Sequence, residues 1–194
     1  MRNEKMVGVP SIEQLEKERK RIRRGIYYRR ALRGTVSVLI VVAAVAVLIT
    51  TLFLPILQIS GDSMSPTLNH DEVVVLWKTD NFDRGDPIAF YYQGKVLIKR
   101  VIALPDDEVV IDGEGNVYVN QELLEEPYVK ERSLGDCDLE FPHRVPAGGY
   151  FVLGDQRSNS IDSRNTSIGA ITSEDIIGKI AIRVWPLNRI GFVK

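Results

Sequence analysis

Polar and apolar positions divide this chain into stretches of different texture. From Gly34 to Gly61 there are 28 residues without a charged side chain, and Val38–Ile49 is aliphatic throughout. About 20 apolar residues cross a bilayer as a helix, so the run predicts a membrane-spanning helix near Val36–Leu57. A cleaved secretory leader has an apolar core of about 7–15 residues ending at a small-residue site. Ala44-Val45-Ala46 has that local form, but the apolar run continues well past it, which favours an uncleaved anchor. Before the run, residues 1–16 read as a loose polar terminus. A helix start is expected near Ser11, with Gln14 three residues on as in a capping box.

Beyond the run the pattern changes to short β-branched and aromatic stretches. Strands are predicted at Glu72–Trp77, Pro87–Tyr92, Lys95–Ala103, Glu108–Ile111, Val117–Val119, Tyr150–Leu153 and Lys179–Val184. Turn-forming clusters separate them. Gln93-Gly94 and the Gly-rich segment 112–116 read as hairpin turns. Only Thr172–Ile177 suggests a helical turn. Many short strands without βαβ alternation predict a mostly β chain: one transmembrane helix, then an all-β, barrel-like or sandwich domain. Residues 120–149, acidic and containing Pro127, Pro142 and Pro146, read as an irregular surface excursion.

Charge sharpens this division. The net charge of -1 conceals 11 Lys/Arg against 4 Glu in residues 1–33, and 14 Lys/Arg against 22 acids in the remainder. Basic residues on the N-terminal flank of an apolar span place that flank in the cytoplasm and everything after about Leu57 outside. The basic segment then reads as a topology signal and a contact for anionic lipid, not as a nucleic-acid site. The single cysteine, Cys137, excludes an intramolecular disulfide, a zinc cluster and a redox pair.

Three stretches carry candidate chemistry. In Ile59-Ser60-Gly61-Asp62-Ser63-Met64-Ser65-Pro66-Thr67-Leu68 a serine sits between turn-formers, which fits an ordinary turn as well as a presented nucleophile. Neither His70 nor His143 sits in a pattern suggesting an orienting carboxylate, and both read as surface residues. The nucleophile-elbow pattern also fails, since Ser65 stands where its second Gly belongs. Lys99, in Val96–Ile102, shares a strand face with Leu97 and Val101. Burial there would lower its pKa, as a lysine base requires; an edge-strand lysine that blocks aggregation fits the same pattern. The third stretch, Gly154–Arg164, holds four charges, three serines and an asparagine after an apolar strand. A solvated loop and a buried polar network both account for it, whereas a calcium loop would need more acidic ligands.

Taken together and in this order, the stretches resemble the boxes of the type I signal peptidases, membrane-anchored serine–lysine proteases. Gly61–Leu68 resembles the nucleophile box, Arg84-Gly85-Asp86 a structural box, and Ile98–Ile102 with Leu104-Pro105 the general-base box. Gly154-Asp155-x-Arg157-x-Asn159-Ser160-x-Asp162-Ser163-Arg164 resembles the last box. The single N-terminal anchor and short middle region resemble the small Gram-positive form.

The resemblance implies that Ser63 attacks the carbonyl, Lys99 is general base and Ser160 hydrogen-bonds Lys99 to orient it. It implies Arg100–Asp155 and Asp162–Arg164 as supporting pairs. It also implies shallow pockets for small side chains lined by Ile59, Met64, Leu68 and Ile98. Gly61 stands where some members carry a serine, so the Ser63 backbone N–H is the oxyanion donor that the resemblance supplies. No metal or other cofactor is implied. The implied partners are exported preproteins with signal peptides, membrane lipid and the export machinery, and no nucleic acid. The expected organisation is a cytoplasmic segment 1–33, an anchor 34–57 and an extracytoplasmic catalytic domain 58–194.

Overall fold

The computed structural model describes residues 12–193; the loose terminus expected before residue 12 and the cap at Ser11 lie outside them. The chain forms two compact units, one reaching Ile49 and the other beginning at Thr50. The first unit consists of most of α1, an uninterrupted helix running Ile12–Phe53. Its apolar side chains from Val36 to Leu48 are exposed, and the helix is long and apolar enough to cross a membrane. The helix stops earlier than the apolar run. Pro55 disfavours helical angles at Leu54, and Ile56–Gln58 form strand β1 rather than the end of the span.

The second unit is antiparallel β structure. Its further strands are β2 (Val73–Trp77), β3 (Pro87–Tyr92), β4 (Lys95–Ala103), β5 (Glu108–Ile111), β6 (Val117–Val119) and β7 (Glu122–Leu123). Then come β8 (His143–Arg144), β9 (Gly149–Leu153), β10 (Ile171–Thr172), β11 (Ile176–Trp185) and β12 (Gly191–Phe192). One sheet has the order β1-β2-β11-β3-β4-β9-β10, with β12 also on β11; the other is β7-β6-β5-β8. The barrel-like expectation thus resolves into two antiparallel sheets, with no closed barrel among the described residues.

Gln93 and Gly94, with φ of 49° and 75°, make the tight β3–β4 turn that the right-handed strand twist favours. The expected helical turn is a 3-10 turn at Ser173–Asp175.

Strand alternation sorts the core. Ile59, Met64, Leu68, Val74, Leu76, Ala89 and Ile180 pack with the partly buried Ile98 on one side of the first sheet. Phe82, Ile88, Phe90, Val101 and Val152 pack with Leu97 on the other. Segment 120–149 departs from a simple surface excursion. It contributes β7 and β8, and it buries Glu126 and Val145.

Candidate active site

The segment carrying Ser63 is held on both sides. Ile59 donates its N–H to Glu72 O (2.8 Å) and accepts at its own carbonyl from Asp71 N (3.0 Å), extending the β1–β2 pairing. Beyond the serine, Ser65 N bonds Asp62 O and Leu68 N bonds Met64 O, each at 2.9 Å, while Met64 and Leu68 anchor the turn in the core. The Ser63 carbonyl accepts from Gln156 N at 3.0 Å, tying it to the polar loop after β9.

β4 brings Lys99 to this turn. Lys99 Nζ lies 2.7 Å from Ser63 Oγ, and the lysine is 3% exposed. Burial lowers its pKa from 10.5 to about 8. Asp162 and Asp155 pull the other way, and Arg164 assists the fall. The charged form is costly here because burial strips the amine of water, and among the described residues no carboxylate pairs with it directly. The alternative of an edge-strand lysine that blocks aggregation does not fit this burial.

Arg100, the next residue, points to the opposite face. It forms a bidentate pair with Asp155 (2.9 and 2.7 Å), donates to Gly85 O (2.6 Å) and reaches Thr67 Oγ1 (3.2 Å). Thr67 in turn donates to Asp155, so the serine turn, β4 and the last loop share one buried network. Asp162 pairs with Arg164 through two bonds (2.8 and 2.9 Å) and accepts from Gly154 N (2.9 Å). The third stretch is therefore a buried network and not a solvated loop.

Ser160 differs from its implied geometry. Its Oγ is buried and makes no hydrogen bond among the described residues, to Lys99 or to any other group. Gly154 explains how the loop comes so close. A Cβ there would lie 2.2 Å from Ser160 Oγ and 2.6 Å from the Ser63 carbonyl oxygen, so no side chain fits.

Two cavities border the dyad. A small one of about 100 Å³ is lined by Ile59, Met64, Val96 and Ile98 with Ser63 and Lys99. Leu68 does not reach it and is core beneath Met64. A larger one of about 470 Å³ shares Ser60, Gly61, Ser63, Leu97 and Lys99 with the first.

Several participants escaped sequence reading. Glu126 is buried in an ion pair with Arg157, and Tyr128 lies over Arg100. Glu72 binds both Arg183 (2.9 Å) and Arg189 (2.5 Å), and Arg183 also donates to Thr67 O (3.0 Å). Only Glu126-Pro127-Tyr128 offered a local signal, an acid and an aromatic fixed around a proline. His70 accepts from Gly61 N (3.0 Å) and His143 lies against Phe151; neither is the hydrogen-bond partner of Ser63.

The signal peptidase family, peptidase S26, matches residues 32–185. This chain belongs to that family. Signal peptidase I U of Bacillus subtilis (strain 168) is 35% identical over 172 residues, covering 80% of this chain and 89% of that protein. Signal peptidase I of Leptolyngbya laminosa is 36% identical over 148 residues, covering 69% and 70%. A crystal structure of a signal peptidase I from Enterococcus faecalis V583 aligns with a TM-score of 0.43 at 30% identity, covering 51% of this chain and 96% of that one. The S26 peptidase is accordingly a serine protease of the signal peptidase I kind.

Proposed function

We propose that this S26 peptidase is membrane-bound and removes N-terminal signal peptides from exported preproteins, with Ser63 as nucleophile and Lys99 as general base. The observation that carries the reading is the 2.7 Å contact between Ser63 Oγ and a buried Lys99 Nζ whose pKa is lowered to about 8. A neutral amine at that distance takes the Ser63 proton as Oγ attacks the scissile carbonyl. The resulting ammonium gives the proton to the leaving amine, and the acyl group stays on Ser63 as an ester. Lys99, neutral again, takes a proton from the water that hydrolyses that ester and returns it to Ser63 Oγ as the acid product leaves. The Ser63 backbone N–H is the donor for the developing oxyanion. Ser160 takes the base-orienting role in this reading only by turning its buried hydroxyl, which makes no hydrogen bond among the described residues, toward the amine.

The open edge of β4 supports an extended substrate. β4 pairs β3 over Lys95–Arg100, but its pairing with β9 begins only at Arg100, and β1 is paired on one edge alone. A peptide end laid between them adds a strand, and alternate side chains face the small cavity. Its volume of about 100 Å³ and its lining of Ile59, Met64 and Ile98 fit small side chains at the first and third positions before the cut. Arg100, Asp155, Asp162 and Arg164 hold the frame.

The exposed apolar part of α1 serves as anchor, with residues 1–33 cytoplasmic against anionic lipid and the β domain extracytoplasmic beside the export machinery. Incubating the detergent-solubilised chain with a preprotein and sequencing the product N-terminus tests the activity. Expected is a single cut after a small residue, lost in Ser63→Ala and Lys99→Ala. A Lys99→Ala protein that cleaves normally would overturn the dyad.

A further inference from the structure

The small cavity accounts for one face of a bound peptide and leaves the other to be explained. In β4, Val96 and Ile98 face the small cavity's side, opposite Tyr91 and Ala89 of β3. Lys95, Leu97 and Lys99 face the reverse side, opposite Tyr92, Phe90 and Ile88. The larger cavity opens on that reverse side. Leu97, Ile161 and Ile168 form its apolar wall, while Gln93 and Lys95 stand at the hairpin end. The Lys95 side chain makes no ion pair or hydrogen bond among the described residues, and it is exposed. Both cavities are bordered by Ser60, Gly61, Ser63, Leu97 and Lys99, so they flank one slot.

An extended chain in such a slot turns successive side chains to opposite faces. We infer that the larger cavity is a second specificity site, taking the side chain of the residue two before the cut, and that it selects for length where the small cavity selects against it. Its ligand class is a long side chain with an apolar stem and an amide or carboxylate tip. The stem lies against Leu97, Ile161 and Ile168; the tip reaches Gln93 and Lys95. The volumes support the contrast, about 470 Å³ against about 100 Å³. The inference rests on the dyad assignment above, since that assignment fixes where the cut falls in the slot.

The test is a set of preprotein-derived peptides ending Ala-X-Ala before the cut, with X as Gly, Gln, Glu or Lys, given to the full chain in detergent. Expected is a kcat/KM for Gln and Glu at least about fivefold above Gly, in keeping with burial of two or three methylenes in an apolar pocket. Ile168→Trp, which fills the wall, should bring the Gln-to-Gly ratio close to one. Lys95→Glu should move the Glu-to-Lys ratio toward Lys by about threefold, as expected of a rim charge. If none of the four peptides is cut, the dyad reading fails. If all four are cut equally, or neither variant changes its ratio, the second specificity site is overturned while the dyad stands.

Discussion

The ring of Tyr128 lies 3.9 Å from the guanidinium carbon of Arg100, covering the arginine that ties β4 to Asp155. The irregular segment therefore closes the support network from outside. A desolvated cation–π contact contributes about 2 kcal/mol. Tyr128→Ala is expected to lower stability by at least that amount and to reduce kcat more than KM rises. Tyr128→Phe should retain most of both, since among the described residues the hydroxyl bonds only Glu126. Denaturation curves beside steady-state kinetics check this, and an inert Tyr128→Ala would contradict it.

Glu126 makes a second demand on the same segment. Both partners of the Glu126–Arg157 pair are almost wholly shielded from water. Removing one partner of such a pair leaves a buried charge uncompensated, typically a loss of about 3–5 kcal/mol. Glu126→Ala should therefore fall in that range by urea unfolding, whereas Glu125→Ala, on an exposed neighbour, should be nearly silent.

On the proposed dyad, Lys99 links activity to pH with a defined sign. Its folded pKa of about 8 lies below the ordinary 10.5, so the unfolded chain takes up this proton first as pH falls. Stability is lost between about pH 10.5 and 8 and then stays at its lower level, by about 3 kcal/mol at 1.36 kcal/mol per pH unit. Lys99→Met should recover this at pH 7, less about 1 kcal/mol for the lost Ser63 hydrogen bond, and be inactive. Cleavage by the native chain should rise from acid pH through an ionisation near 8. Lys99→Arg should be dead at every pH in that range, because a guanidinium does not deprotonate there. A native pH profile that is flat from 6 to 9, with chemistry rate-limiting, would contradict this.

Gly154 is the tightest point of the site. A methyl group there would collide with Ser160 Oγ and the Ser63 carbonyl, and the latter is backbone that cannot swing aside. Gly154→Ala should cost about 1–3 kcal/mol as overpacking and displace Ser63 from Lys99. Loss of turnover with a native-like circular dichroism spectrum is the expected outcome. Combining it with Ser160→Gly should restore little, because the clash with the serine carbonyl persists.

The strands of the first sheet were legible because their apolar faces alternate with period two. Pro87–Tyr92 and Lys95–Ala103 are predicted and found with the same limits. The short partners β7, β8, β10 and β12 were not, since two residues carry no period. Lys99 was legible as a buried-face lysine, yet strand pattern alone could not separate it from an edge residue. That distinction depends on which neighbour flanks β4, and this is set by long-range pairing. The contact of Thr67 with Asp155 and that of Arg183 with Thr67 span 88 and 116 positions, so nothing local announces them. The apolar helix ends before its pattern does because one proline outweighs a continuous apolar run.

The sheet order also fixes when this enzyme can first act. β2, which leads out of the serine turn, and β3, which pairs with the lysine strand, are neighbours in sequence but are separated in the sheet by β11. A chain emerging from the ribosome thus holds Ser63 and Lys99 long before it holds the strand that sets them face to face. On the proposed dyad, proteolytic competence arrives only when residues 176–185 insert, long after β4 has been made. The growing polypeptide is its own safeguard, and a chain cut short before Ile176 is expected to be translocated but inert.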